Sequence, residues 1–297
     1  MTGHARIRAA LARQLPAQPP PTGPLAVADR FQAALDGYAE VILGPKGRPV
    51  GFMTRGEDAA FTEAAQTTLT ELGMPAEALA HHRTLAEWFE HQRAFFKVEW
   101  HDRGGHLEPL AACYFRRRPK VDEVATRMAQ WGLPAETREL LFDVARALQK
   151  DTIHFVSAAF RPDHAVYHKL YFSQWVTLET EEQVNARLAA VFKIFGFQSQ
   201  MQDWQRKHAR NLRPGESTLF LSISLSADGI VPSFKLDYPE VGPARAALWL
   251  PASQATVIAE AEATRNFAGS PMLSYLGVRY APDAILPSLK YYCDVPR

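Results

Sequence analysis

The sequence contains little cysteine, little net charge and no long hydrophobic run. Only two of its 297 residues are cysteines, Cys113 and Cys293, and their spacing matches no metal-binding motif. Because we find no secretory signal, we expect a reduced, cytoplasmic compartment. The net charge of +1 argues against nucleic acid or an anionic membrane surface as a partner. No apolar run approaches the roughly 18 residues that span a bilayer, so we expect no membrane segment.

Several signature motifs of enzyme sites are also missing. The sequence has no G-x-x-x-x-G-K-[ST], G-x-G-x-x-G or G-x-S-x-G, so it offers no phosphate-binding loop, dinucleotide fingerprint or serine-hydrolase elbow. His81, His82, His101 and His106 lack a cysteine or acidic partner at metal-binding spacing, and we interpret them as surface residues. The sequence therefore predicts no metal site.

The beginning of the chain is rich in proline. Residues 16–24 include five prolines, which fix φ and remove backbone donors, so this stretch cannot form a helix interior. We predict a short helix over 1–15 and an extended tether over 16–24. Residues 1–25 would then precede a single domain over 26–297.

From there on, pairs of strand-like segments alternate with pairs of helix-like segments, with a period of roughly 55–65 residues. Turn residues separate the two strands of each pair, most clearly Asp228-Gly229. The predicted hairpins are 40–43 with 49–54, 95–101 with 109–116, 152–160 with 165–175, 217–226 with 230–238, and 272–280 with 285–295. Helices are predicted over 26–38, 57–72, 75–94, 120–131, 135–150, 180–195, 198–211, 243–250 and 252–266.

Consecutive hairpins pair antiparallel, and the helices need one apolar sheet face to pack on. Closing a sheet of this size removes its exposed edges, and about ten strands leave a lumen wider than side chains fill. We therefore predict an α+β fold. It is a ten-stranded antiparallel β-barrel of five ββαα repeats, surrounded by helices and enclosing a ligand chamber.

Side chains alternate between the two faces of a strand, so placing the apolar residues under the helices leaves charged residues facing the lumen. The clearest strand is Tyr167-His168-Lys169-Leu170-Tyr171, in which the lysine and both tyrosines share the inner face. The predicted inward cations are Lys97, Arg116, Lys169, Lys235, Arg279 and Lys290, and the inward tyrosines among them are Tyr114, Tyr171, Tyr275 and Tyr292.

Burying cations without partners costs several kcal/mol each, so such a lumen is expected to bind a polyanion. An organic diphosphate fits, because lysine and arginine both donate to phosphate oxygens. The tyrosine faces suggest a second task, which is to stabilise a developing carbocation.

This pattern resembles the ABBA-type aromatic prenyltransferases over about residues 30–295. The best match to the K-x-Y motif of that family is Lys169-Leu170-Tyr171. Lys235-Leu236-Asp237 keeps the lysine but has aspartate where the family often has tyrosine. Ala112-Cys113-Tyr114 keeps the tyrosine but not the cation, for which Arg116 is the substitute.

The resemblance implies transfer of a dimethylallyl or longer prenyl group from its diphosphate to an aromatic acceptor, and it implies roles for the inward residues. Glu40 lies where indole-type members hold the indole N–H, and Lys97 matches a proton acceptor, with Glu99 as a second candidate base. The implied diphosphate ligands are Arg116, Lys169, Lys235, Arg279 and Lys290, and the implied cation shield is Tyr114, Tyr171, Tyr275 and Tyr292. An arginine of the first hairpin in indole-type members has no clear match among the inward Gly51, Met53 and Arg55.

The expected substrates are dimethylallyl or geranyl diphosphate and an aromatic small molecule or peptide. The sequence has no D-D-x-x-D or N-D-x-x-D pair, with which trans-prenyl synthases bind Mg²⁺. We expect that no cofactor is required, and Mg²⁺ assistance through Asp237 or Glu99 is left open. The resemblance implies a role in secondary metabolism, for a monomer or a homodimer.

An indole or tryptophan derivative is the preferred acceptor, alkylated by electrophilic aromatic substitution. A phenol, a naphthoquinone or a peptide side chain is the alternative within this class. Two interpretations from other classes remain: a non-catalytic barrel that binds an anionic lipid or metabolite, and an α+β scaffold whose lysines face solvent.

Overall fold

An antiparallel β-sheet closes into a ring at the centre of the structure, which is a computed structural model. It describes residues 2–15, 22–43, 49–90, 93–103, 106–162, 164–175, 180–207, 218–226, 229–241, 273–282 and 288–294. The strands are β1 (Ala39–Leu43), β2 (Pro49–Gly56), β3 (Ala94–Arg103), β4 (His106–Phe115), β5 (Phe155–Arg161), β6 (His164–Trp175), β7 (Thr218–Ser226), β8 (Gly229–Val241), β9 (Leu273–Tyr280) and β10 (Ser288–Asp294). The helices are α1 (Gly3–Gln14), α2 (Pro24–Arg30), α3 (Gln32–Gly37), α4 (Ala59–Glu71), α5 (Ala76–Trp88), α6 (Val121–Gln130), α7 (Ala135–Leu148), α8 (Glu181–Ile194) and α9 (Gln198–Lys207).

Each strand pairs antiparallel with its neighbours in chain order, and β1 pairs with β10. Val41 lies opposite Cys293 at this closure. The predicted curled antiparallel sheet with helices around it is confirmed.

Helix pairs follow the hairpins β1–β2, β3–β4 and β5–β6, which gives three described ββαα units. The first helix of each pair ends in the same way, at Gly73, Gly132 and Gly196, whose φ angles are 74°, 72° and 74°. Glycine adopts this left-handed conformation without a steric penalty, so it ends the helix cleanly. The helices predicted over 243–250 and 252–266 lie outside the described residues.

The predicted N-terminal helix forms, and it packs against the barrel. Ile7, Ala10 and Leu11 of α1 are buried in the same core as the outer face of the sheet. Gly3 makes this approach close, because a Cβ there would lie 2.2 Å from the carbonyl oxygen of Leu35. Residues 16–21 lie outside the described part of the chain.

The helix predicted over 26–38 is two helices, because Phe31 leaves helical geometry at φ −100° and ψ 20°. Its buried ring stacks on Phe96 at 4.7 Å and meets Phe61 edge-on at 5.6 Å. Anchoring this ring in the core turns the chain between α2 and α3. The first of them begins at Pro24, inside the predicted tether, and proline suits the first turn of a helix.

Burial agrees with the predicted faces on β3, β6, β7 and β8, where the structure describes the side chains. The outward side chains of the central strands, among them Val98, Leu170, Leu221 and Leu236, are fully buried under the helices. On the opposite face of these strands the side chains are charged or small, and they point into the lumen. An example is Lys97, which lies opposite Ala112.

The interpretation of His81 and His82 as surface residues is wrong. Helix α5 packs on the outer face of the sheet, which buries His82 at 2% exposure, and its Nδ1 lies 2.7 Å from the Gln66 side-chain oxygen. The half-buried His81 places its Nε2 2.6 Å from Nε2 of His168, which points outward from β6. These histidines are part of the contact between helix and sheet.

Candidate active site

Two lysines and an arginine come together on the inner face of β6, β8 and β9. Lys169 pairs with Ser224 of β7, and Lys235 lies between Ser222 on one side and Arg279 on the other. Neighbouring strands are about 4.8 Å apart, so β6 and β8 are about 10 Å apart, with only serine side chains between the two lysines. Two long cationic side chains at this spacing can converge on one diphosphate.

The remaining predicted positions fall in the same inner rows. Lys290 pairs with Gly277, and Tyr292 pairs with Tyr275. Arg116 lies just past the end of β4, and its guanidinium carbon is 5.8 Å from the centre of the Phe155 ring. The strand register thus aligns these backbone positions of β9 and β10 with the row of Lys235 and Asp237 on β8. Arg116 lies at the end of the lumen from which the helices leave.

Lys235 and Asp237 form a buried ion pair on β8. Their side chains lie directly above Gly277 of β9, where a Cβ would be 2.1 Å from Lys235 Cε and 2.7 Å from Asp237 Oδ1. Glycine at this position therefore leaves the space that the ion pair occupies.

A second ion pair joins Lys97 and Glu99 on β3, and both side chains are almost fully buried, at 4% and 1% exposure. The strands β3 and β8 lie opposite each other, five strands apart in either direction around the ring. The assumption that the inward cations have no partners is thus wrong for Lys97 and Lys235. In each case a carboxylate two residues further along the strand points to the same face.

His101 continues the row of Lys97 and Glu99 and was missed as a site residue. Its Nε2 lies 3.2 Å from Oε2 of Glu99, while its side chain is 38% exposed. The signal was present in the alternation Lys97-Val98-Glu99-Trp100-His101, which places the three polar side chains on one face.

Tyr114 and Tyr171 lie next to each other inside the barrel, with ring centres 5.8 Å apart. Burial raises the pKa of Tyr171 well above its ordinary value, and the nearby Tyr114 and Asp237 raise it further, whereas Lys97 lowers it. The Tyr171 hydroxyl therefore stays protonated and can donate a hydrogen bond. Strand β6, which holds Tyr171, lies between β8 and β3 in the strand order, and these two strands hold the two ion pairs.

Glu40 is fully buried, and the hydroxyl of Tyr38 donates a hydrogen bond to its Oε1. The ring of Tyr38 meets Phe95 edge-on at 5.8 Å, and the Arg55 guanidinium carbon lies 4.9 Å from its centre. A carboxylate held in this way can accept a hydrogen bond from the N–H of a bound ring.

An aromatic wall lines the inner face where the strands join the helices. Phe95 and Phe155 meet at 5.7 Å, and Phe155 lies 6.0 Å from Phe220 and 6.1 Å from Tyr171. Sequence reasoning did not select Phe95 and Phe155, although both follow the alternation of their strands. Such a wall can hold a flat apolar ring and exclude water from it.

Within the described residues, no group of three or more histidine, cysteine, aspartate or glutamate side chains is arranged to hold a metal ion. Nor is any helix in these segments long and apolar enough to cross a membrane.

Neither protein-family models nor curated proteins match this chain. Solved structures do match it. A 6-dimethylallyl tryptophan synthase superposes with a TM-score of 0.64 at 14% identity, covering 99% of this chain and 97% of that one. PriB in a binary complex with the product diphosphate gives 0.61 at 12% identity over 98% and 94% of the two chains. The 5-dimethylallyltryptophan synthase from Streptomyces coelicolor gives 0.58 at 12% identity over 98% and 95%. The chain therefore has the fold of the aromatic prenyltransferases.

Proposed function

We propose that this protein is an aromatic prenyltransferase built on five ββαα units. One observation carries the proposal: the inner face of the barrel combines three nearby cations, Lys169, Lys235 and Arg279, with the adjacent tyrosines Tyr114 and Tyr171. Nearby cations suit a diphosphate leaving group, and tyrosine faces suit an allylic cation. The matching solved structures include complexes with diphosphate and with a dimethylallyl diphosphate analogue plus tryptophan, which supports the same substrates here.

Donor activation follows from the charges around the leaving group. As the C–O bond of dimethylallyl diphosphate breaks, negative charge grows on the diphosphate, and fixed cations stabilise that charge in the transition state. We assign this stabilisation to Lys169, Lys235, Arg279 and Arg116, which lie along the inner face and at the end of the lumen. Lys290 shares the row through its pairing with Gly277.

We assign Tyr114, Tyr171, Tyr275 and Tyr292 to hold the allylic cation and to shield it from water. The acceptor ring stacks on the aromatic wall with its N–H directed to Glu40. Ring carbon attacks the cation, and the Lys97–Glu99 pair takes the ring proton to restore aromaticity.

We propose a tryptophan or simple indole as acceptor and dimethylallyl diphosphate as donor, with geranyl diphosphate as the longer alternative. A phenol, a naphthoquinone or a peptide side chain is the second choice of acceptor. Mg²⁺ is not required in this scheme, because cationic side chains neutralise the diphosphate. We further propose that the protein acts in the cytoplasm, in secondary metabolism, as a monomer or a homodimer.

The test is to incubate the purified protein with dimethylallyl diphosphate and L-tryptophan, in the presence of EDTA, and to measure released diphosphate together with the mass of the product. We expect acceptor-dependent release and a product that carries one added C5H8 unit. Tight binding of the diphosphate, with no product from indoles, phenols, naphthoquinones or peptides, would instead identify a carrier of anionic metabolites.

A further inference from the structure

Three polar side chains form an unbroken row along the inner face of β3. Lys97 contacts one oxygen of Glu99, and His101 contacts the other, at 3.2 Å from its Nε2. The exposed fraction of the side chains is 4%, 1% and 38% along the row. The row therefore leads from the buried interior of the barrel to solvent.

At the solvent end of this row, both strands of the hairpin have polar side chains. His101 pairs directly with Glu108 of β4, which is only partly buried. This end lies next to the turn that joins β3 and β4, away from the aromatic wall. A proton that reaches His101 can therefore pass to water.

Aromatic substitution in a water-shielded chamber needs such an exit. Each turnover leaves one proton on a buried base, and the base must lose it before it can act again. The Lys97–Glu99 pair gains this proton in either of two ways. Glu99 takes it directly, or Lys97 takes it while passing one of its own protons to Glu99. Both ways end with a lysine ammonium beside a neutral carboxylic acid.

We propose that His101 carries this proton from Glu99 to solvent, an inference that rests on the proposed prenyl transfer. The C–H bond of the alkylated ring breaks, and its electron pair restores the aromatic system. The proton becomes the acid proton of Glu99, which passes it to Nε2 of His101, and the imidazole releases the proton on Nδ1 to water. Exchange with water then restores the starting tautomer. Histidine suits this step because one ring nitrogen can accept a proton while the other donates one.

The decisive variant is His101→Gln, which keeps a polar side chain next to Glu99 but cannot carry a proton. We expect kcat to fall about 10- to 100-fold, in the range of general acid–base effects, with the KM of both substrates unchanged within about twofold. The rate should also become lower in D2O than in H2O, because release of the exchangeable Glu99 proton becomes rate-limiting. A merely structural role for His101 would not produce this isotope effect.

His101→Ala provides a second measurement, because added imidazole should restore much of the lost rate in His101→Ala and none in His101→Gln. The matched control is His4→Gln on α1, since His4 also contacts a carboxylate, Asp29, at 2.8 Å, outside the lumen. It should leave kcat and the isotope effect unchanged.

The outcomes separate this inference from the proposed function. If the wild-type protein yields product and His101→Gln keeps its full kcat with no new isotope effect, the relay through His101 is wrong and the prenyltransferase stands. If the wild-type protein yields no product with any acceptor, the proposed function itself fails.

Discussion

The Lys235 side chain lies directly over Gly277 of the neighbouring strand. A Cβ added to Gly277 would lie 2.4 Å from Nζ of Lys235. The contact is with the end of a flexible side chain, so Gly277→Ala should fold but displace the Lys235–Asp237 pair. We expect the Kd for dimethylallyl diphosphate to rise about tenfold, as for loss of one charged hydrogen bond. Isothermal titration measures this change. Gly37→Ala is the control, because nothing lies within 4 Å of its added methyl group, and unchanged affinity in Gly277→Ala would contradict the placement of Lys235 in the site.

Lys169 faces the lumen from β6, with Nζ 5.7 Å from the centre of the Tyr167 ring. If it stabilises the leaving diphosphate, Lys169→Ala should lower kcat about 100-fold or more, because a preorganised donor to a developing anion is lost. Steady-state release of diphosphate measures the effect. The exposed Lys193 on α8 provides the control, Lys193→Ala. Near-normal turnover in Lys169→Ala would remove this residue from the mechanism.

Glu40 and Tyr38 act together if they hold the N–H of the acceptor. Glu40→Gln keeps the shape but loses the charge, and Tyr38→Phe removes the hydroxyl that donates to Glu40. We expect the KM for tryptophan to rise about tenfold in Glu40→Gln and less in Tyr38→Phe, with the Kd for dimethylallyl diphosphate unchanged within about twofold. An equal loss of affinity for both substrates would argue against an acceptor role.

The buried His154 and His168 and the half-buried His81 should make the stability of the protein fall in mild acid. Burial lowers the pKa of His81 to about 4 and the pKa values of His154 and His168 to about 3. In the unfolded chain they bind protons near pH 6.5, so the unfolded state binds more protons below that pH. The contribution of these histidines to the free energy of unfolding is therefore complete above about pH 6.5, and it is lost as the pH is lowered toward 4.

Denaturant unfolding between about pH 7 and pH 4.5 measures this slope. His168→Phe keeps an aromatic ring on Trp131, which stacks on His168 at 4.6 Å, but it cannot titrate. Its slope should therefore correspond to about one proton fewer than in the wild type. Identical slopes would mean that His168 does not contribute to the acid sensitivity.

The sequence predicted the faces of the strands because side chains alternate strictly along a strand, and the outward positions are apolar. The sequence did not show which side chains on the same face contact each other. Lys97 and Lys235 were judged as separate cations, although Glu99 and Asp237 follow two residues later on the same face. His101 was overlooked for the same reason.

Contacts between elements were less accessible to sequence reasoning. The burial of His82 depends on how α5 packs on the outer face of β4 and β5, and no local pattern fixes that packing. The break between α2 and α3 depends on the ring of Phe31 reaching Phe61 and Phe96, which follow later in the chain. Tertiary packing decided both features against the local expectation.

Closure of the ring through β1 and β10 has a consequence for how the protein forms during synthesis. β1 leaves the ribosome early but finds its second partner only when β10 has emerged, since Val41 and Cys293 face each other across that seam. Until then the growing chain must carry an open sheet with two unpaired edges, and such non-local pairing is slow to form. The enclosed chamber is therefore a late product of folding, and the chain depends on rapid completion of this seam to avoid aggregation through its edges.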